Sequence, residues 1–320
     1  MTPNVSWKEA VVEWHAQARR SLAPRTVARY LASLRTVARF LENKCLAEID
    51  AKLIRTIVAA RQKEGVTNAS IRRDLSAVSS VLSHAVAHEW IAANPAKAYD
   101  RSSIRERRPP IVLPDPSSLA EVLARLPEGL RDMAEFGIHT GMRLEELASL
   151  RWEQVDWHRQ TVQLVQTKRG AGRVVELDAA ALAVLQRRGP GIGKSYVFTQ
   201  AAGTRYASPS GNFRAVVDRV ARSRAARKAA RNRGEPEPPP FQRFRFHDLR
   251  HLYIVTQLRA GRSIWWVKEQ VGHSSVTQTE AYARVFLSPT EAARARQGTI
   301  EVTERDTLPP VIRLRDRAAD

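Results

Sequence analysis

The chain has 320 residues, 43% apolar and 7% aromatic, enough to bury sizeable cores, which excludes a largely disordered polypeptide. That length passes the roughly 250–300 residues at which single cores stop growing, so two domains are expected. With 52 Lys and Arg against 33 Asp and Glu, the net charge of +19 points to a polyanionic partner, nucleic acid first, over an ordinary soluble domain. Residues 1–110 carry 19 basic and 10 acidic side chains and the remainder is net +10, so both halves are expected to meet a nucleic-acid backbone as two jaws of a clamp. The single cysteine, Cys45, excludes an internal disulfide and a Cys-rich zinc site. No stretch approaches the roughly 18 apolar residues of a membrane span, and Met1–Ala10 lacks signal-peptide order. No membrane association and a cytoplasmic, nucleoid-associated location are expected.

From Thr26 to Leu41, Val27, Tyr30, Leu31, Leu34, Val37 and Leu41 recur at helical spacing, while Arg25, Arg29, Arg35 and Arg39 lie mostly off that stripe. A second amphipathic helix runs from Ser70 to about Trp90, with Ile71, Leu75, Val78, Leu82 and Val86 inward and Asn94-Pro95 as its stop. Leu46–Gly65 reads as one or two shorter helices, so residues 5–98 form a small helical bundle. Asp100–Pro116 is charged and proline-rich, an extended connector with little core of its own. Ser117–Arg125 and Leu130–Thr140 read as helices of the next domain.

Gly141 ends one helix and permits a turn that aims Arg143 inward, with Glu146 one helical turn on to brace it. Thr161–Thr167 alternates, and Gly170 and Gly172 turn it into Val174–Leu177, a β-hairpin with Lys168 where the first strand enters the turn and Arg169 and Arg173 beside it. Arg214–Arg233 holds eight basic residues against one acid and is helix-prone; it reads equally as a phosphate-tracking arm or a solvated excursion. His247 and Arg250 open a helix with Leu249, Leu252, Tyr253 and Leu258 on its buried side. Ile264, Val267 and Val271 share a face of the next helix, which breaks at Gly272, leaving His273 just past its end, held rigidly yet exposed. Thr277 and Glu280 have capping-box spacing and put Tyr282 early in a short helix. His247, His251 and His273 also invite a metal reading, but Asp248 replaces the glutamate of a zinc helix and Arg250 would repel a cation, so no metal is expected.

The ordered motifs Thr140-Gly141-Met142-Arg143-Leu144-Glu145-Glu146-Leu147, His247-Asp248-Leu249-Arg250, Gly272-His273 and Tyr282 resemble the boxes of the tyrosine recombinase, or phage integrase, family. The resemblance implies a mainly α multidomain chain. Residues 1–99 are similar to the family's SAM-like core-binding helical bundle, followed by a linker at 100–116. Residues 117–288 correspond to a mixed α+β catalytic domain of the DNA breaking-rejoining type with a small antiparallel sheet. The tail, 289–320, is then expected to dock on a neighbouring protomer through Ile300, Val302, Val311, Ile312 and Leu314.

By the same resemblance, Tyr282 attacks a backbone phosphate and leaves a 3′-phosphotyrosine, with exchange through a Holliday junction. Arg143 and Arg250 can offer paired donors to the phosphate and His247 and His273 hydrogen bonds, which is the arrangement a developing dianion needs. Lys168 matches the family's general acid, and Glu146 supports Arg143. Arg29, Arg35, Arg72, Arg73, Arg169 and Arg173 are candidate DNA contacts. Double-stranded DNA carrying specific sites and a homotetramer on it are the implied partners, with accessory DNA-bending or directionality proteins as a further class. No cofactor, ATP or metal is implied. A type IB topoisomerase and a catalytically inactive DNA-binding relative are the alternative readings.

Overall fold

The computed structural model describes residues 4–106, 110–165, 172–189, 191–193, 195–229 and 240–297. They fall into two compact units, residues 1–109 and 110–320. In the first, α1 (Trp7–Ser21), α2 (Pro24–Leu41), α3 (Ala51–Lys63), α4 (Asn68–Ala87) and the short α5 (Pro95–Ala98) enclose an apolar core. Side-chain oxygens of Ser6, Asp50 and Thr67 accept the backbone N–H groups that open α1, α3 and α4, each such cap worth about 1 kcal/mol. Helix α2 starts at Pro24, whose missing N–H costs nothing in a first turn. Its apolar stripe is buried while Arg29 and Arg35 stay exposed. Helix α4 ends at Ala87, short of Trp90, because the chain turns left-handed at Glu89, φ 59°.

The connector departs from expectation. Arg101–Ile104 form a 3-10 turn capped by Asp100, and Ile104 is fully buried in the first core. The Arg101 carbonyl also accepts from Arg72 Nη1 at 3.2 Å, so the half-buried Arg72 braces its own unit. Beyond residues 107–109, which lie outside the described set, Ile111 and Leu113 pack on an apolar cluster of the second unit. Apolar side chains in a charged stretch were enough to anchor each end.

The second unit continues with α6 (Pro116–Arg125), α7 (Glu128–Thr140) and α8 (Leu144–Ala148). The strands β1 (Val155–Asp156), β2 (Thr161–Leu164) and β3 (Arg173–Glu176) then form an antiparallel sheet in that order, Val162 opposite Val175 and Leu164 opposite Arg173. The strand β1 was not expected; two residues are too few for an alternation to register. After α9 (Ala179–Arg188), α10 (Pro209–Ala229) takes up most of the basic stretch, with Phe213, Val216, Val217 and Val220 buried. Arg224 and Arg227 pair with Glu121 of α6, and Asp218 pairs with Arg243 and Arg214. The described part of that stretch is therefore a helix packed into the unit, with Arg214, Arg219 and Arg222 exposed; residues 230–239 lie outside the described set.

Helix α11 (Phe246–Arg259) threads two cores. Its Phe246 and Leu249 belong to the cluster built with α6, α7, the sheet, α9 and α10, among them Phe136, Val162 and Phe213. Its Tyr253, Ile254 and Leu258 belong to a second cluster with α12 (Ile264–Val271), α13 (Val276–Phe286) and α14 (Pro289–Gln297). Arg250 and His251 fall at the changeover. The first nine residues of the expected trans-docking tail are α14, whose buried Ala292 and Ala295 seat on the same chain. Small side chains let that helix lie close. Residues 298–320, with Ile300, Val302, Val311, Ile312 and Leu314, lie outside the described residues. Among the described residues no helix is long and apolar enough to cross a membrane.

Candidate active site

Helix α7 stops at Gly141 in the left-handed conformation, φ 61°, and a Cβ there would lie 2.3 Å from the Tyr253 ring. The turn delivers Arg143 to the N-terminal position before α8. There its backbone N–H donates to Glu146 Oε2 at 2.8 Å and its Nη1 to Glu146 Oε1 at 3.1 Å, while Nη2 donates to the Gly272 carbonyl. Arg173 enters from β3, donating through Nη1 and Nη2 to the two Glu146 oxygens at 2.8 and 2.7 Å and through Nε to the Gln270 carbonyl at 2.9 Å. Burial alone would raise the Glu146 carboxyl, but the Arg173 hydrogen bonds and charge, with Arg143, outweigh it and hold it below the usual carboxylate range. Arg173 was a candidate DNA contact; its guanidinium is instead committed inside the protein, locking Glu146 to the end of α12.

Arg250 is only 4% exposed and donates from Nη1 to the Gly141 carbonyl at 2.6 Å. Burial and the nearby charge of Arg143 lower its pKa below that of an ordinary guanidinium, as expected where cations are gathered away from water. Gly272, φ 67°, ends α12, and His273 follows with Nδ1 2.8 Å from Thr279 Oγ1. His273 is half-buried, not exposed, and burial, then the Arg250 and Arg143 charges, pull its pKa down to about 3. His247 is exposed at the first turn of α11, its ring 4.8 Å from that of His251; desolvation, then the Arg250 charge, lowers its pKa.

Tyr282 lies midway along α13, whose cap is Ser275, its Oγ accepting from Thr277 N, and not Thr277 as the spacing suggested. The hydroxyl nearest the turn took the role. The ring is buried, 7% exposed, stacked near His273 at 6.0 Å and Phe286 at 6.5 Å. Its oxygen lies 2.6 Å from His251 Nδ1. Burial raises the phenol pKa and Arg250 works against that rise.

Arg143, His247, Arg250, His273 and Tyr282 are thus brought together, with Glu146 beneath Arg143. Lys168 and Arg169 lie outside the described residues. Arg29, Arg35 and Arg73 are exposed on the separate helical unit. Sequence reasoning missed the part His251 plays here, having weighed it only as a metal ligand, and missed Thr279 as the partner of His273. Among the described residues no three His, Cys, Asp or Glu side chains are arranged to hold a metal ion. Guanidinium groups and imidazoles around a phenol can stabilise a phosphate while an oxygen nucleophile attacks it.

Such a cluster in a mainly helical unit with a small sheet, in a chain that also carries a helical bundle, is the pattern of a DNA breaking-rejoining protein. Residues 117–288 match the model described as "Phage integrase family", and residues 13–89 match "Phage integrase, N-terminal SAM-like domain". The chain is similar to "Tyrosine recombinase XerC" of Xanthomonas campestris pv. campestris (strain B100), 29% identical over 280 residues, 85% of this chain and 82% of that protein. It is 30% identical over 245 residues to that of Xanthomonas axonopodis pv. citri (strain 306), 75% of each chain. In fold it resembles a lambda integrase tetramer bound to a Holliday junction, with a TM-score of 0.65 and 21% identity, over 86% of this chain and 79% of the other. The chain belongs to the phage integrase family and is a site-specific tyrosine recombinase, a DNA strand-transfer enzyme.

Proposed function

We propose that this recombinase cuts and rejoins double-stranded DNA with Tyr282 as nucleophile, through a covalent 3′-phosphotyrosine and a Holliday junction. The observation that carries this is the convergence of Arg143 and Arg250 on the half-buried corner where His273 and the Tyr282 ring meet. Attack raises charge on the nonbridging oxygens, and the two guanidinium groups offer fixed, pre-oriented donors to it. His247 and His273 add hydrogen bonds, and Lys168 protonates the departing 5′ oxygen. Glu146 keeps Arg143 aimed. One phosphodiester replaces another of similar energy, so neither ATP nor a divalent ion takes part.

The lambda integrase is a tetramer on a Holliday junction, which supports four protomers of this chain acting on paired sites. They act in the cytoplasm, on the nucleoid. Arg29, Arg35 and Arg73 of the helical bundle hold the backbone, accessory DNA-bending or directionality proteins being further partners. The tail beyond Gln297 reaches a neighbouring protomer; ending the chain there is expected to leave site binding intact and reduce synapsis.

A nicked suicide substrate carrying the bound core site tests the chemistry. The wild-type protein is expected to give a denaturation-resistant adduct in EDTA and without ATP. Tyr282→Phe is expected to give none, and Arg143→Ala or Arg250→Ala to slow it by about 10²–10³. An adduct that survives Tyr282→Phe overturns the assignment.

A further inference from the structure

His251 contacts the Tyr282 oxygen, Nδ1 to Oη at 2.6 Å, and its ring centroid lies 5.6 Å from that of the phenol. It sits on α11 directly after Arg250 and is almost fully buried, so helix and packing fix its position. Its other nitrogen, Nε2, faces Asp248 Oδ1 at 3.8 Å. Asp248 is itself held by the backbone N–H of Arg245 at 2.6 Å and by Arg245 Nη2 at 2.9 Å. An imidazole in hydrogen-bond contact with a hydroxyl nucleophile is the pairing that activates weak oxygen nucleophiles elsewhere, and the Asp248 carboxylate, 3.8 Å from Nε2, adds a charge beside the ring rather than a hydrogen bond to it.

We propose that His251 is a further catalytic residue: the general base that removes the Tyr282 hydroxyl proton as the phenolic oxygen attacks phosphorus. The inference rests on the reading of Tyr282 as nucleophile. In cleavage the Tyr282 O–H bond breaks and an N–H bond forms at Nδ1, with the other ring proton on Nε2 towards Asp248. The Oη–P bond forms, the P–O5′ bond breaks, and the 5′ oxygen takes its proton from the acid assigned to Lys168. Rejoining runs in reverse, and His251 returns its proton to the tyrosine as the phosphate leaves.

The surroundings suit the part. Facing His251 are His247, Asp248, Arg250 and the cap residue Arg245 on its own helix, Tyr282 from α13, and His273 just past the end of α12. Burial first, then His247, draws its pKa down to about 4, so at neutral pH the ring is unprotonated and its nitrogen can accept. An incoming phosphate offsets the charges of Arg143 and Arg250, which raises the proton affinity of the imidazole as the phenol begins to lose its proton.

The test uses single-turnover adduct formation on a nicked duplex carrying the genomic fragment the wild-type protein binds most tightly, from pH 5.5 to 9.5. It compares wild type, Tyr282→Phe, His251→Asn and His251→Ala, on ordinary DNA and on a 5′-bridging phosphorothiolate that needs no acid. His251→Asn keeps a polar group near Oη that cannot be protonated. The expected result is unchanged DNA binding, a rate about 10²–10⁴-fold lower at pH 7, and a climb of about tenfold per pH unit as hydroxide takes over. The same deficit is expected on the phosphorothiolate, and added imidazole is expected to restore part of the His251→Ala rate. A His251→Asn rate within about threefold of wild type, a pH profile parallel to wild type, or a deficit that disappears on the sulfur substrate overturns the proposal. Should His251→Asn melt below the assay temperature, imidazole rescue of His251→Ala decides, its absence counting against the base. Retention of the adduct by Tyr282→Phe overturns the nucleophile reading instead, a result distinguishable from all of these.

Discussion

Glu146 joins two guanidinium groups and is nearly shielded from water, as is Arg173 opposite it, their side chains 7% and 13% exposed. Removing one partner of such a pair leaves a buried charge unanswered, at a cost of about 3–5 kcal/mol. Glu146→Gln is therefore expected to lower the denaturation midpoint of the second unit by that order, and adduct formation with it, because Arg143 loses its brace. The histidines have the opposite relation to charge. His251 and His273 keep pKa values near about 4 and about 3 in the folded chain, below the ordinary value of 6.5, so the unfolded chain binds more protons in between. Stability is then complete above pH 6.5 and is lost progressively as the pH falls from 6.5 towards about 4 for His251 and about 3 for His273. Thermal unfolding across that range is expected to show the decline, and His251→Phe to flatten it. The residues that meet at this site were named in the sequence through the resemblance of its ordered motifs to the family's boxes: Arg143 with Glu146, His247 with Arg250, Gly272 with His273, and Tyr282. The part Arg173 plays was not legible there, because its partner Glu146 lies far off in the sequence and pairing at that range leaves no periodic trace.

Helix α11 explains a different failure of sequence reading. It is buried on almost every side, so its apolar residues follow no single stripe, and the direction of His251 could not be inferred from spacing. The amphipathic helices α2 and α4, each with one wet face, were readable nearly to their ends. At α13 the serine and threonine hydroxyls of Ser275 and Thr277 compete for one cap, and local spacing alone does not choose between them. The turn from α7 into α8 is the element on which both arginines depend, since Gly141 aims Arg143 and its carbonyl holds Arg250. Gly141→Ala would impose a left-handed backbone costing about 1–2 kcal/mol and press a methyl into Tyr253, a further cost of about 1–3 kcal/mol. Circular dichroism melts are expected to register that loss, and cleavage to fall more than site binding.

For the molecule as a whole, the net charge of +19 makes binding to DNA a salt-dependent equilibrium. Arg29→Ala with Arg35→Ala, both exposed on α2, is expected to lower the slope of log affinity against log salt by about 2. Titrations at several salt concentrations measure this, and an unchanged slope would remove α2 from the DNA-facing surface. A recombinase also requires two sites for product, so relaxation of supercoiled DNA lacking a paired site is expected to be negligible. The division into two units was readable from length, charge and the proline-rich connector, but the anchoring of Ile104 in one core and Ile111 in another was not, because a charged segment conceals isolated apolar contacts.

The bond from Arg143 to the Gly272 carbonyl has one more outcome. A neutral carbonyl is a poorer companion for a guanidinium than a phosphate oxygen is. That single guanidinium nonetheless stitches the turn after α7 to the residue that closes α12, one position before His273. Replacing it would free two segments at once, so Arg143→Ala is expected to loosen the seat of His273 as well as to remove a phosphate donor.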